Sequence, residues 1–130
     1  MHRTFESTFF SQQVVYIETN NIDGLMSQYH EDAVLIFLDT IVCGRKHIRD
    51  FLIQNINYLT DSNLDQVEKY NETKGIIFVQ AVITLHSGKR RVGYLLILLD
   101  GKLSFQIVTT VADFGIAQHT SKHSIEAYQD

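Results

Sequence analysis

The sequence predicts an α+β fold in which three helices from the first half of the chain pack on the concave face of a curled, mainly antiparallel sheet. Three observations predict it. The stretch from Gly75 to Asp113 reads as three consecutive strands punctuated by turns, with almost no helical pattern. Three stripes of helical periodicity precede it. And the strands are apolar on both faces, so each side of the sheet must be covered, since a sheet with one wet face alternates apolar with polar.

Taken in order, Thr8 to Asn20 carries Phe10, Val14 and Ile17 on one stripe with Phe9, Gln13 and Tyr16 beside it, which predicts a first helix pressed on the sheet. Asn21 is a suitable N-cap and Asp23 suits a first turn. Ile22, Leu25, Met26 and Tyr29 then fall at i, i+3, i+4 and i+7 of a short second helix. After the polar break His30-Glu31-Asp32, the run Ala33 to Leu38 is too short for a helix and predicts a buried strand that ends at Asp39. Thr40 to Cys43 crosses to Gly44, and Ile48, Phe51, Leu52, Ile56 and Leu59 form the stripe of a third helix over Arg45 to Leu59. Thr60 to Asn63 has loop composition. Leu64 to Glu72 predicts a more exposed strand, then come Ile76 to His86, the turn Ser87-Gly88, Val92 to Leu99, the turn Asp100-Gly101, and Leu103 to Asp113. A core over about 8–114 and a polar tail over 115–130 make one domain of the 130 residues.

Composition narrows the function classes. A formal charge of −4 leaves no footprint for nucleic acid, and Lys89-Arg90-Arg91 reads as a solvated hairpin end. No apolar run is long enough to span a bilayer, and the first residues lack a signal-peptide core. The single cysteine, Cys43, allows no intrachain disulfide, which makes the cytoplasm the default expectation; with no basic partner beside it, it reads as packing. His30, His47 and His86 read as surface residues. His119 and His123 have i,i+4 spacing but lack a third ligand, so neither a metal nor a cofactor is expected.

The segments Asn21-Ile22-Asp23-Gly24-Leu25, Tyr29-His30-Glu31-Asp32-Ala33-Val34, Gly44-Arg45-Lys46-His47-Ile48-Arg49-Asp50-Phe51 and Asp100-Gly101-Lys102 occur in this order within the helix, helix, strand, helix, sheet succession. In them the chain resembles the nuclear transport factor 2-like superfamily, which includes SnoaL-like polyketide cyclases, ketosteroid isomerases, scytalone dehydratases and limonene epoxide hydrolases. The resemblance covers about Phe9 to Asp113. It implies a cone-shaped α+β barrel with a pocket between helices and sheet, and a homodimer through the outer sheet face.

The resemblance, with strand parity, implies that Leu35, Phe37, Gln80, Val82, Thr84, Leu95, Ile97, Gln106, Val108 and Thr110 face the pocket, with Phe51 from the third helix and Gln13 or Tyr16 from the first. The opposite set is Ile77, Val79, Ile83, Leu85, Val92, Tyr94, Leu96, Leu98, Phe105 and Ile107, which would meet the partner copy; a one-residue slip exchanges the two. The isomerases' catalytic carboxylate matches Phe37, their oxyanion-hole tyrosine matches Gln13 and their second acid falls near Leu95, so steroid isomerisation is not expected.

Asp39 has two readings. A carboxylate at the end of an apolar strand can act as a proton shuttle, and an Asp before Thr40 can equally bond the amides of its own turn. Gln80 and Gln106 would place two amides in an apolar enclosure, where they must bond each other, Tyr16, water or a ligand. The expected function is thus the binding of a small, largely apolar molecule, with Asp39 and Tyr16 as acid/base candidates for cofactor-free isomerase, cyclase, dehydratase or hydrolase chemistry. The alternative is a non-catalytic ligand-binding or dimerising module.

Overall fold

A computed structural model describes residues 8–111. The elements are α1 (Phe9–Glu18), α2 (Ile22–Ser27), β1 (Tyr29–Phe37), β2 (Thr40–Cys43), α3 (Arg45–Asp61), β3 (Asn63–Thr73), β4 (Ile76–Leu85), β5 (Gly88–Leu99) and β6 (Lys102–Val111). The expectations for 115–130, including the His119 and His123 pair, lie outside the described residues.

Each helix starts where the local chemistry allows. The Thr8 hydroxyl accepts the Ser11 amide at 3.1 Å to cap α1, and the Asn21 carboxamide accepts the Gly24 amide at 2.8 Å to cap α2. Gly24 must be small, because a Cβ there would lie 2.5 Å from the Tyr16 ring. That contact holds Tyr16 against α2. Gly44, at φ +92, turns the chain from β2 into α3.

The six strands form one open sheet in the order β2-β1-β6-β5-β4-β3. All neighbours are antiparallel except β1 and β6, which run parallel. The three helices pack on one face. Phe10, Leu25, Ile48 and Leu52 from the helices meet Leu35, Ile77, Val79, Leu96 and Leu103 from the sheet, all nearly inaccessible to water. Together these give the α+β cone. No described helix is long and apolar enough to cross a membrane.

Several boundaries differ from the sequence expectation. Thr40–Cys43 is a paired edge strand rather than a bare crossing, because Leu38 takes φ +58 and folds β2 back on β1. Tyr29 opens β1 instead of closing the helix before it: the Gln28 carbonyl accepts the Leu103 amide at 2.7 Å, which draws this stretch into the sheet. The third helix runs on to Asp61, leaving Ser62 alone before β3.

The larger correction concerns the faces of β4 and β5. Cross-strand partners share a face, and Leu96 lies opposite both Gln106 and Ile77, while Tyr94 lies opposite both Val108 and Val79. Ile77, Val79, Ile83, Leu85, Val92, Tyr94 and Leu96 are therefore on the helix side. Gln80, Val82, Thr84, Leu95 and Ile97 are on the outer face, together with Phe105 and Ile107. With apolar residues on both faces, apolarity alone carries no parity, and the register of the hairpin turns decides.

Candidate functional site

The helix side of the sheet is not completely filled. A cavity of about 120 Å³ remains between the three helices and the strands. Its base is formed by Gln13, Leu25, Tyr29, Leu52 and Gln106, all buried, and Val92 and Val108 form its wall. Its mouth is formed by Leu38, Tyr58, Arg90 and Thr110, all exposed.

A closed polar network sits in this apolar enclosure. Gln13 and Gln106 are 3% and 4% exposed. Gln13 Nε2 donates to Gln106 Oε1 at 3.2 Å, and Gln106 Nε2 donates back to Gln13 Oε1 at 3.1 Å. The Tyr29 hydroxyl donates to the same Gln106 oxygen at 2.7 Å. Both lone pairs of Gln106 Oε1 are thereby used. One N–H on each amide, a lone pair on Gln13 Oε1 and the Tyr29 oxygen stay available. The network can thus both donate to and accept from an uncharged group.

Burial acts on the phenols. It pushes the Tyr29 phenol far above its ordinary value and Tyr94 up to about 12, so both stay neutral at physiological pH. Tyr94 lines the cavity with its ring 4.8 Å from that of Phe10. Among the described lining residues there is no carboxylate and no imidazole; the ionisable groups are the three tyrosines and Arg90.

Of the residues expected to bind a ligand, Gln13, Phe37, Gln106, Val108 and Thr110 line the cavity. Phe51 stands behind Phe37, ring to ring at 5.5 Å, and supports the wall without lining it. Gln80, Val82, Thr84 and Leu95 do not reach the cavity. Gln80 bonds Glu68 at 3.0 Å on the outer face, and Thr84 bonds Asp65 there. Tyr16 packs over Gly24 and is not in the lining. Asp39 is exposed in the turn between β1 and β2, where its Oδ1 accepts the Thr40 hydroxyl at 3.3 Å. Cys43, expected to pack, is exposed.

Sequence reasoning missed Tyr29, Tyr58, Arg90 and Tyr94. Tyr29 fitted the helical stripe of α2 equally well. Tyr94 was lost to the face inversion of β5 and Arg90 to the reading of its basic run as a solvated hairpin end; the usable signal was Gln106 itself, since its strand partner Leu96 fixes the parity of the residues before it.

No protein-family sequence model matches the chain, and no curated protein matches it in sequence. Solved structures do match in shape. A candidate ketosteroid isomerase from Kribbella flavida superposes with a TM-score of 0.67 at 17% identity, covering 81% of this chain and 76% of that one. A candidate polyketide cyclase from Sinorhizobium meliloti gives 0.65 at 14% identity, over 77% of this chain and 92% of the other. A nuclear transport factor 2-like protein from Anabaena variabilis gives 0.67 at 12% identity, over 80% and 84%. At these identities the likeness is one of fold.

Proposed function

From a chain with the nuclear transport factor 2-like cone fold, we propose a binding domain for a small, largely apolar molecule that carries an uncharged oxygen function. The observation that carries this reading is the Gln13, Gln106 and Tyr29 network at the base of an apolar cavity. Three polar groups in such a place are costly unless paired, and their leftover donors and acceptors suit a carbonyl or hydroxyl. Acid/base catalysis of the isomerase or cyclase kind has less support, because Asp39 and Tyr16 lie outside the described lining and no other described carboxylate replaces them. The test is titration with the neutral fluorophore phenylnaphthylamine. Saturable binding at one site per chain, abolished by Val108→Trp and by Leu85→Trp, supports the reading. Binding that survives both cavity-filling changes contradicts it.

We also propose a second copy of the chain as the cover of the outer sheet face. Val34, Ile36, Leu95, Ile97, Phe105 and Ile107 form its centre by register, flanked by the exposed Ile76 and Phe78. Leaving that patch in water forgoes roughly 1.5–3 kcal/mol for each large side chain that a partner would bury. A two-fold sheet-on-sheet contact suits an apolar patch with ion pairs along one margin. The exposed thiol of Cys43 would stay reduced in the cytoplasm, where we place the protein.

A further inference from the structure

The basic run Lys89-Arg90-Arg91 is divided by strand alternation into two different environments. Lys89 Nζ lies 2.8 Å from Asp65 Oδ2 and Arg91 Nε lies 2.7 Å from Glu68 Oε1, both on the outer face. Arg90 points the other way. It is opposite Ile83 in register and lines the cavity mouth, where its one hydrogen bond, Nη1 to the Lys89 carbonyl at 2.8 Å, leaves most of its donors unused. Among the described residues no carboxylate pairs with it.

A guanidinium at the rim of an apolar cavity, with no acidic residue in the described lining, attracts an anion and repels none. Val92 and Tyr94 follow Arg90 along the same face of β5, so apolar wall begins directly below the charge. Arg90 and Tyr94 are four strand residues apart, about 13 Å along β5. An elongated molecule can therefore lie along this wall with one end at the guanidinium and its body directed to the glutamine pair.

Resting on the binding reading above, we infer that the ligand class is an amphipathic organic carboxylate: its charge pairs with Arg90 at the mouth and its apolar body fills the cavity. The planar fork of Arg90 matches a carboxylate in two-point contact, which a lysine ammonium cannot reproduce.

The test compares decanoate with decanol, each measured by displacement of phenylnaphthylamine at pH 7.5 in low salt. The expected result is about tenfold tighter binding of decanoate by the wild type, a ratio that falls toward one in Arg90→Gln and is only partly restored in Arg90→Lys. Added salt should shrink the same ratio. If the fluorophore and decanol bind but decanoate has no advantage, or if Arg90→Gln keeps the advantage, this inference is overturned while the binding reading stands. If none of the three probes binds, both are overturned.

Discussion

Two glutamines on strands separated by β5 show how differently the two faces of this sheet work. Gln106 on β6 is buried on the helix side, locked to Gln13 and Tyr29 in a cavity of apolar walls. Gln80 on β4 is half-buried on the outer face and bonds Glu68, which is itself paired with Arg91. The residue type is the same, and the desolvation is not. Inside, each amide group left without a partner costs its full dehydration; outside, water can take the partner's place.

The largest expected effect separates them by stability. Gln106→Leu orphans the Gln13 amide and the Tyr29 hydroxyl, for a loss of about 2–4 kcal/mol, which corresponds to roughly 7–15 °C in Tm for a domain of this size. Gln80→Leu should lower Tm by only a few degrees at most. Thermal denaturation of both variants would break the comparison if the losses were equal. The triple change Gln13→Leu, Tyr29→Phe and Gln106→Leu removes all partners together and should recover much of the loss.

A second contrast is in assembly. Phe105→Asp, on the outer face, should leave a folded monomer in sedimentation equilibrium at micromolar concentration, where the wild type should sediment as a dimer. Leu96→Asp, buried on the helix side, should instead unfold the chain. A wild-type monomer would remove the outer-face proposal.

A smaller effect is expected in pH dependence. The Arg91 guanidinium, aided by the Gln80 amide, holds the Glu68 carboxyl down to about 2 from its ordinary 4.5. A depressed carboxylate stabilises the fold fully above its ordinary value, and that contribution fades as pH falls toward 2. The Tm gap between wild type and Glu68→Gln should therefore be positive at neutral pH and close by pH 2, modestly, because the pair is 22% exposed on each side and screened by solvent. The buried phenols act at the other end. With Tyr94 raised to about 12, the neutral form is favoured in the fold, and this stability is lost as pH rises above the ordinary phenol value of 10. The smallest effect expected is that of Asp39→Asn, which should change ligand affinity less than about twofold, as for an exposed residue outside the cavity.

Much of the fold was legible in the residues. The stripes of Phe10, Val14 and Ile17 and of Ile48, Leu52 and Ile56, with the turn pairs Ser87-Gly88 and Asp100-Gly101, place α1, α3 and the last two hairpins within a few residues. The site was legible on β1 and β6, where Phe37, Gln106, Val108 and Thr110 line the cavity as their parity implied, and at Gln13, which meets Gln106 in the structure. The rest failed for physical reasons that differ from residue to residue. Strands apolar on both faces give no parity, so a residue such as Leu95 and its neighbour Tyr94 looked interchangeable, and Arg90 was hidden between two cations that have carboxylate partners across the sheet.

The most direct test of the binding account uses the side-chain amide resonances of the glutamines in a ¹⁵N-labelled sample titrated with phenylnaphthylamine. The predicted result is that the Gln13 and Gln106 amides, slow to exchange with solvent beforehand, shift in a saturable way while the Gln80 amide stays in place. Shifts at Gln80 with Gln13 and Gln106 unmoved would contradict it.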